Sequence, residues 1–446
     1  RETGPGGGSQ GTTHDYYDTE RGVSQWLSGI NDYASTAQGS GNGITAFNSN
    51  GFTIGSGYNG SENINGEDTV AWTWREQPKF FDIVTYTGNG STQDISHNLG
   101  STPGMIWIKK TSATSEWFVW HRSVGNSHYL VRNTTAAKAS YANWLNPTST
   151  TISLQNDSTN SNSATYVAYF FAHNNNDGGF GEPGDQDIIK CDKYTGNGNE
   201  TGPEITLGFE PQFIMIKRAS GGTGDWDVYD NMRGIPMGAG EQRLEWNTSD
   251  AESTAGADRI NLSSTGFSIA TTNSNVNTNG DTYVYMAIRR GGMQTPTVGT
   301  DVFAADLGDA SSVPQFVSNF PVDMAMLRDI NNSDTMSIGS RLQGTKRLYI
   351  SNSAEQTNSY YEWDYNNGYF STALNTDYFS WMWKRARGYF DAVTYTGTGS
   401  ARTVSHNLGV VPEMMWLKRR NATGDWAVYH ASQGNAKAAK LNSSVA

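Results

Sequence analysis

The protein is a chain of 446 residues with 36% hydrophobic and 17% charged residues, 50 glycines and a formal net charge of −12. That length exceeds one ordinary domain, and 14 Trp, 22 Tyr and 17 Phe exclude a disordered chain, which is poor in such groups. The acidic balance argues against nucleic acid and anionic membrane as partners; no apolar run of about 18 residues is present to span a bilayer, and the lone Cys191 excludes an intrachain disulfide or a four-cysteine zinc site.

In chain order, Gly4 to Gly11 reads as a flexible lead-in, and the start at Arg1, without Met or a signal-peptide pattern, as a fragment or processed product. His14-Asp15-Tyr16-Tyr17-Asp18 then lines up with Trp226-Asp227-Val228-Tyr229-Asp230, and Arg21-Gly22 with Arg233-Gly234. The string Thr85-Tyr86-Thr87-Gly88 returns at Lys193 to Gly196 and at Thr394 to Gly397. Ile95-Ser96-His97-Asn98-Leu99-Gly100 returns as Val404 to Gly409. A proline and an apolar run ending in a cation follow: Pro103 with Met105 to Lys109, Pro211 with Phe213 to Lys217, Pro412 with Met414 to Lys418 and, more weakly, Pro321 with Met324 to Arg328. Next come aromatic strands at Trp117, Trp226 and Trp426. Each unit closes on large residues at every second position: Val70/Trp72/Trp74, Val167/Tyr169/Phe171, Val284/Met286/Ile288 and Phe379/Trp381/Trp383. Such alternation places one strand face in a core, so Trp381 and Trp383 are expected to be largely buried.

The interval between copies is about 100 residues, too long for solenoid or propeller units and long enough for each to bury its own core. The expected fold is all-β: tandem β-sandwich, jelly-roll-like repeats of about 100 residues. Residues 1–77 form a partial repeat with later strands only, 78–185 and 186–293 whole repeats, 294–386 a divergent repeat, and 387–446 a partial repeat with opening strands only. Residues 290–298 read as a linker and 173–187 as the longest loop, while the joints at 76–79 and 385–388 are short, as between closely packed neighbours. The end repeats either show a bare sheet edge or complete each other, residues 387–446 pairing with 14–77 of some chain.

Candidate chemistry is sparse. His97 and His121, and again His406 and His430, lie 24 residues apart. A metal wants three or four ligands, and the second repeat has Ile205 and Asp230 instead, so the histidines read as turn-holding groups. Asn273 to Asp281 superficially resembles a calcium loop but lacks its carboxylates and closing Glu, and reads as a turn; Ca²⁺ at some Asp/Asn loop is the one cofactor left open. No Gly-x-Ser-x-Gly, His-Glu-x-x-His or P-loop pattern occurs, so no catalytic, cofactor-binding or metal residues are assigned and the protein is read as a non-enzyme. Most tryptophans fall on core-facing strand positions; Trp144 and Trp246, beside turns, are the candidates for stacking on a glycan.

The string Phe81-Asp82 through Tyr86-Thr87-Gly88, Ser96-His97-Asn98-Leu99-Gly100, Pro103-Gly104-Met105 and Trp117-x-Val119-Trp120-His121, repeated from Phe390-Asp391 to His430, resembles an uncharacterised repeat domain of large virion-surface and tail-fibre proteins of marine and cyanobacterial phages. The resemblance covers nearly the whole chain after about residue 14 and is weakest in 294–386, which lacks the His-Asn-Leu-Gly turn. It implies an extracellular or virion-borne, repetitive structural or adhesive protein that self-associates, as a trimer or head-to-tail, and contacts other virion proteins and a host-surface glycan or receptor. A secreted adhesin or filament subunit, and a glycan-degrading tail spike, are the alternatives.

Overall fold

The computed structural model describes residues 13–443 except 57–62, 64, 66–68, 142–143, 156, 182–183, 239, 255–257, 292–294, 334, 360 and 372–376. The lead-in at Gly4 to Gly11 lies outside the described residues. Among these, regular structure is almost entirely antiparallel β; helix occurs as four-residue turns at Asp157–Asn160 and Ser274–Asn277 and as short 3₁₀ turns.

The first whole repeat sets the plan. A six-stranded sheet runs in the order Phe81–Thr87 (the opening strand), Thr165–Phe171 (closing), Met105–Lys110 (central), Trp117–His121 (tryptophan strand), His128–Val131 and Ala139–Ser140. A three-stranded sheet of Leu145–Pro147, Thr151–Leu154 and Gln93–Ser96 makes the second layer. The second repeat keeps the six-strand order with Ile189–Thr195, Thr282–Arg289, Pro211–Arg218, Trp226–Asp230, Gln242–Glu245 and Ser253–Thr254. The third keeps it too, with Phe303–Leu307, Tyr378–Trp383, Met324–Asp329, Ser337–Ser340, Lys346–Tyr349 and Thr357–Asn358. Loss of the His-Asn-Leu-Gly turn therefore leaves the strand order of the most divergent repeat intact.

The closing strand is where pattern and packing part. Alternation in the first repeat predicts one buried face, yet Tyr166 through Phe171 are all buried. One face meets the smaller sheet and its turn, with the Phe170 ring 4.7 Å from His97. The other meets the partial repeat 14–77: Tyr169 Oη donates to Asp18 (2.6 Å) and Phe171 sits edge-on to Trp74 (6.2 Å). In the third repeat the fully buried residues of this strand are Ser380 and Met382, while Trp381 and Trp383 are only half-buried, contrary to the expectation for that pair. Met382 enters the core with Phe316, Tyr361 and Tyr369, whereas Trp381 and Trp383 lie on the opposite face beside Phe379 and Phe303.

The partial repeats carry only part of the strands expected of them: 70–74, expected as the closing strand of the first, and 391–397 and 404–405, expected as opening strands of the last, form no strand, each being without its pairing strand among the described residues. Residues Asp15–Tyr16, Gln25–Ser28 and Thr36–Ala37 form one small sheet and Ile44–Asn48 with Gly51–Ile54 a hairpin; Met414–Leu417, Ala427–His430 and Ala439–Lys440 form another sheet. Contacts divide the chain into two compact units, one of residues 1–229, 242–254 and 269–290, the other of 230–241, 255–268 and 291–446. In the first unit a continuous core runs from Leu27 to Ile288 and holds Trp107, Trp117, Trp226 and Trp246 at 0–1% exposure. Cys191 is wholly buried there, its Sγ against the carbonyl of Ala172 (3.4 Å).

Candidate functional site

The recurring motifs converge on a contact that fastens each of the repeats 78–185, 186–293 and 387–446 to the one before it. The cation ending each apolar run reaches back to the preceding repeat and across to its own: Lys109 Nζ donates to the carbonyls of Asp32 (2.8 Å) and Ser115, Lys217 Nζ to Thr135 (2.9 Å) and Gly224, and Lys418 Nζ to Ser353 (3.1 Å) and Gly424 (2.8 Å). The first tryptophan of the next strand also reaches back. Trp117 Nε1 donates to Ser28 O (2.8 Å), Trp226 to Val131 O (3.1 Å) and Trp426 to Tyr349 O (2.9 Å). Asn133, Asn247 and Asn442 then accept from the backbone N–H of those tryptophans at 3.0, 2.8 and 2.9 Å. Burial drives Lys109 and Lys217 down to about 8 against the pull of Asp32 and Asp225. The third repeat has exposed Arg328 at the cation position and no tryptophan in Ser337–Ser340.

Sequence reasoning found the Lys and Trp positions but not the asparagine, which lies 16 residues or more downstream in a weakly patterned loop. It also missed Arg132. This guanidinium is wholly buried, donates to Tyr16 Oη (2.8 Å) and Gly29 O (3.0 Å), and sits 4.4–5.7 Å from the rings of Trp117, Tyr16, Trp107 and Trp246. Cation–π attraction is strongest when the pair is desolvated like this.

Trp246 is thus a wall of an internal cage, and Trp144 donates its indole N–H to His128 O (2.6 Å) beside Tyr129. Both are 0% exposed, so neither offers a face to a sugar. Each directly adjoins a strand, Leu145–Pro147 or Gln242–Glu245, and its ring packs against residues of other strands.

The histidines hold turns. His97 Nδ1 accepts from Leu99 N–H (3.3 Å), His121 from Ser123 (3.1 Å), His406 from Leu408 (3.2 Å) and His430 from Ser432 (3.2 Å). With Nδ1 accepting, the proton of His121 sits on Nε2 and is given to Tyr285 O (3.1 Å); burial lowers this imidazole to about 4. The Asn-rich segment also serves the backbone. Asn273 caps the helical turn Ser274–Asn277, and buried Asn277 donates to Asn199 O (2.8 Å) and Thr271 O (2.6 Å). Among the described residues no group of three His, Cys, Asp or Glu side chains is arranged to hold a metal ion.

Two acidic places remain. A cleft of about 470 Å³ is lined by Glu20, Glu76, Asp82, Ser96 and Asn98; Glu76 is pushed up by burial and by Asp82 and Glu20, and accepts from Ile83 N–H (3.1 Å). In the second unit Glu241, with no exposure, accepts from Arg259 and Ile260 N–H (2.7 and 2.8 Å) through Oε1 and lies beside the Asp258 carboxyl. Burial raises Glu241 to about 7 and Asp258 upward as well, with Lys346 and Arg420 facing the pair. Two acids in contact need one shared proton.

No curated protein and no solved structure matches the chain. A family model matches residues 7–290 and 319–446, so the lysine–tryptophan–asparagine contact and the turn histidines are built within a single, repeated kind of sequence. The chain belongs to the family described as a domain of unknown function, DUF7483.

Proposed function

We propose that the protein is a structural and adhesive component of a phage particle, a tail fibre or other virion appendage that presents tandem β-domains outside the particle. The observation that supports it most is that Lys109, Lys217 and Lys418, and likewise Trp117, Trp226 and Trp426, each donate to a backbone carbonyl of the preceding repeat. Side chains spent on joining one repeat to the last serve load-bearing arrays rather than turnover. The motif resemblance to virion-surface repeats supplies the phage setting. On this reading the protein self-associates, meets other virion proteins, and touches a host-surface glycan or receptor through side chains other than Trp144 and Trp246; it uses no cofactor and catalyses no reaction. Mass spectrometry and immunogold labelling of purified particles test it. The expected result is the chain on the particle surface; its absence from particles and recovery from the secreted fraction of the cell would overturn it in favour of a cell-surface adhesin.

A further inference from the structure

Two of the joints between repeats share one build. Residues 74–86 and 383–395 align without a gap, from Trp74 and Trp383 at the end of one repeat to Tyr86 and Tyr395 in the next. In each, a turn closes on an isolated bridge, Gln77 with Phe81 and Ala386 with Phe390. Lys79 and Gly388 both have positive φ (62° and 72°) and donate their N–H groups to Leu99 O (2.6 Å) and Leu408 O (2.7 Å). The aspartate after the aromatic pair then grips the His-Asn-Leu-Gly turn. Asp82 Oδ2 accepts from Asn98 N–H (2.6 Å), and Asp391 Oδ2 from Asn407 N–H (2.7 Å).

The joints differ in what meets the other oxygen of that aspartate. Asp391 Oδ1 accepts from Arg385 Nε (2.5 Å), and both side chains of the ion pair are buried. The residue aligned with Arg385 is Glu76, so a carboxylate stands where the other joint has a guanidinium. Glu76 turns to the backbone and accepts from Ile83 N–H (3.1 Å). Asp82 is 5% exposed and lines the cleft of about 470 Å³, and among the described residues no donor reaches its Oδ1. Glu20 brings a third acid to the same wall, and neither Lys nor Arg is among the described residues that line it. Burial, Asp82 and Glu20 all push Glu76 upward, as expected of carboxylates crowded together.

We propose that this cleft binds a guanidinium group, the arginine side chain of a partner protein, which takes against Asp82 the place that Arg385 takes against Asp391. A guanidinium offers five N–H donors in a flat fork that can serve two carboxylates at once, whereas an ammonium is a compact point charge. Glu76 and Asp82 supply the oxygens, and Pro78 and Val84 give the methylene stem an apolar wall. A metal ion is the poorer fit, because the acids are not arranged as a ligand set. The chemistry of the cleft stands whether or not the protein serves a virion.

Heteronuclear NMR titration of the full chain with acetyl-Gly-Arg-Gly-amide tests this, beside the same peptide with lysine and with citrulline, which keeps the shape of arginine without its charge. Saturable shifts are expected at the Ile83, Thr85 and Asn98 amides, at lower concentration for arginine than for lysine and not at all for citrulline. Glu76→Gln, in a chain whose spectrum is otherwise unchanged, should weaken binding roughly tenfold. Glu76→Arg should abolish it, because the chain then supplies the guanidinium itself. Absence of saturable shifts at these amides, citrulline or lysine binding as well as arginine, unchanged affinity in Glu76→Gln, or binding retained in Glu76→Arg would each overturn the proposal.

Discussion

Glu241 carries a carboxyl group with no solvent exposure, beside a second acid, and this makes it sensitive to pH in a direction that can be worked out. Its ordinary value is 4.5 and in the folded protein it stands at about 7, so between those limits the folded state holds a proton that the unfolded chain has lost. Stability is therefore full below about pH 4.5, falls as pH rises toward 7, and levels above it, by on the order of 3 kcal/mol at most. Glu241→Gln, which keeps a donor toward Asp258, should flatten that slope in melts of the second unit at pH 5, 6 and 8. Lys109→Met offers a second check. It removes the donor shared by Asp32 and Ser115 carbonyls, and should cost the first unit about 1–3 kcal/mol in urea titrations. At this scale the sequence is informative where partners are local: His97 grips an amide two residues on, so its turn role follows from the motif itself. Trp246 is the opposite case. Its burial depends on Trp107 and Arg132, more than 100 residues away, and a turn beside it carries no trace of them.

Among the elements, the Tyr-Thr-Gly turn shows why one string recurs. Tyrosine reaches over to the carbonyl of a helical turn, and glycine leaves room for the backbone that follows it. Gly88→Ala should lower the stability of the first unit by about 1–3 kcal/mol, because the atom it meets is backbone and cannot swing aside. Gly397→Ala, where an added Cβ meets nothing within 4 Å, should leave thermal melting unchanged. Comparing the two melting temperatures checks both. The closing strand was legible as a strand from its alternation, but not its burial on two faces, since the second face is covered by a neighbouring repeat. Trp381 and Trp383 mislead for a related reason: size and alternation mark a face, and Met382 on the other face is the one that fills the core of the third repeat.

For the whole molecule, the repeat plan could be read from self-similarity, whereas the division into two units could not, because segments 230–241 and 255–268 of the second repeat belong with the later unit. Within the first unit the core is continuous from Leu27 to Ile288. Trp226→Ala, expected to cost about 3–5 kcal/mol, should therefore lower the melting of that entire unit in one transition; separate loss of residues 186–290 alone, seen by hydrogen exchange, would contradict it. Cys191 gives the same core a built-in time signal. A thiol with no exposure, raised further from reactivity by burial, meets an alkylating reagent only when the strands around Ala172 part. As the only sulfhydryl in the chain, it lets the rate of modification under native conditions count those openings directly, with no probe to be introduced and no second site to subtract.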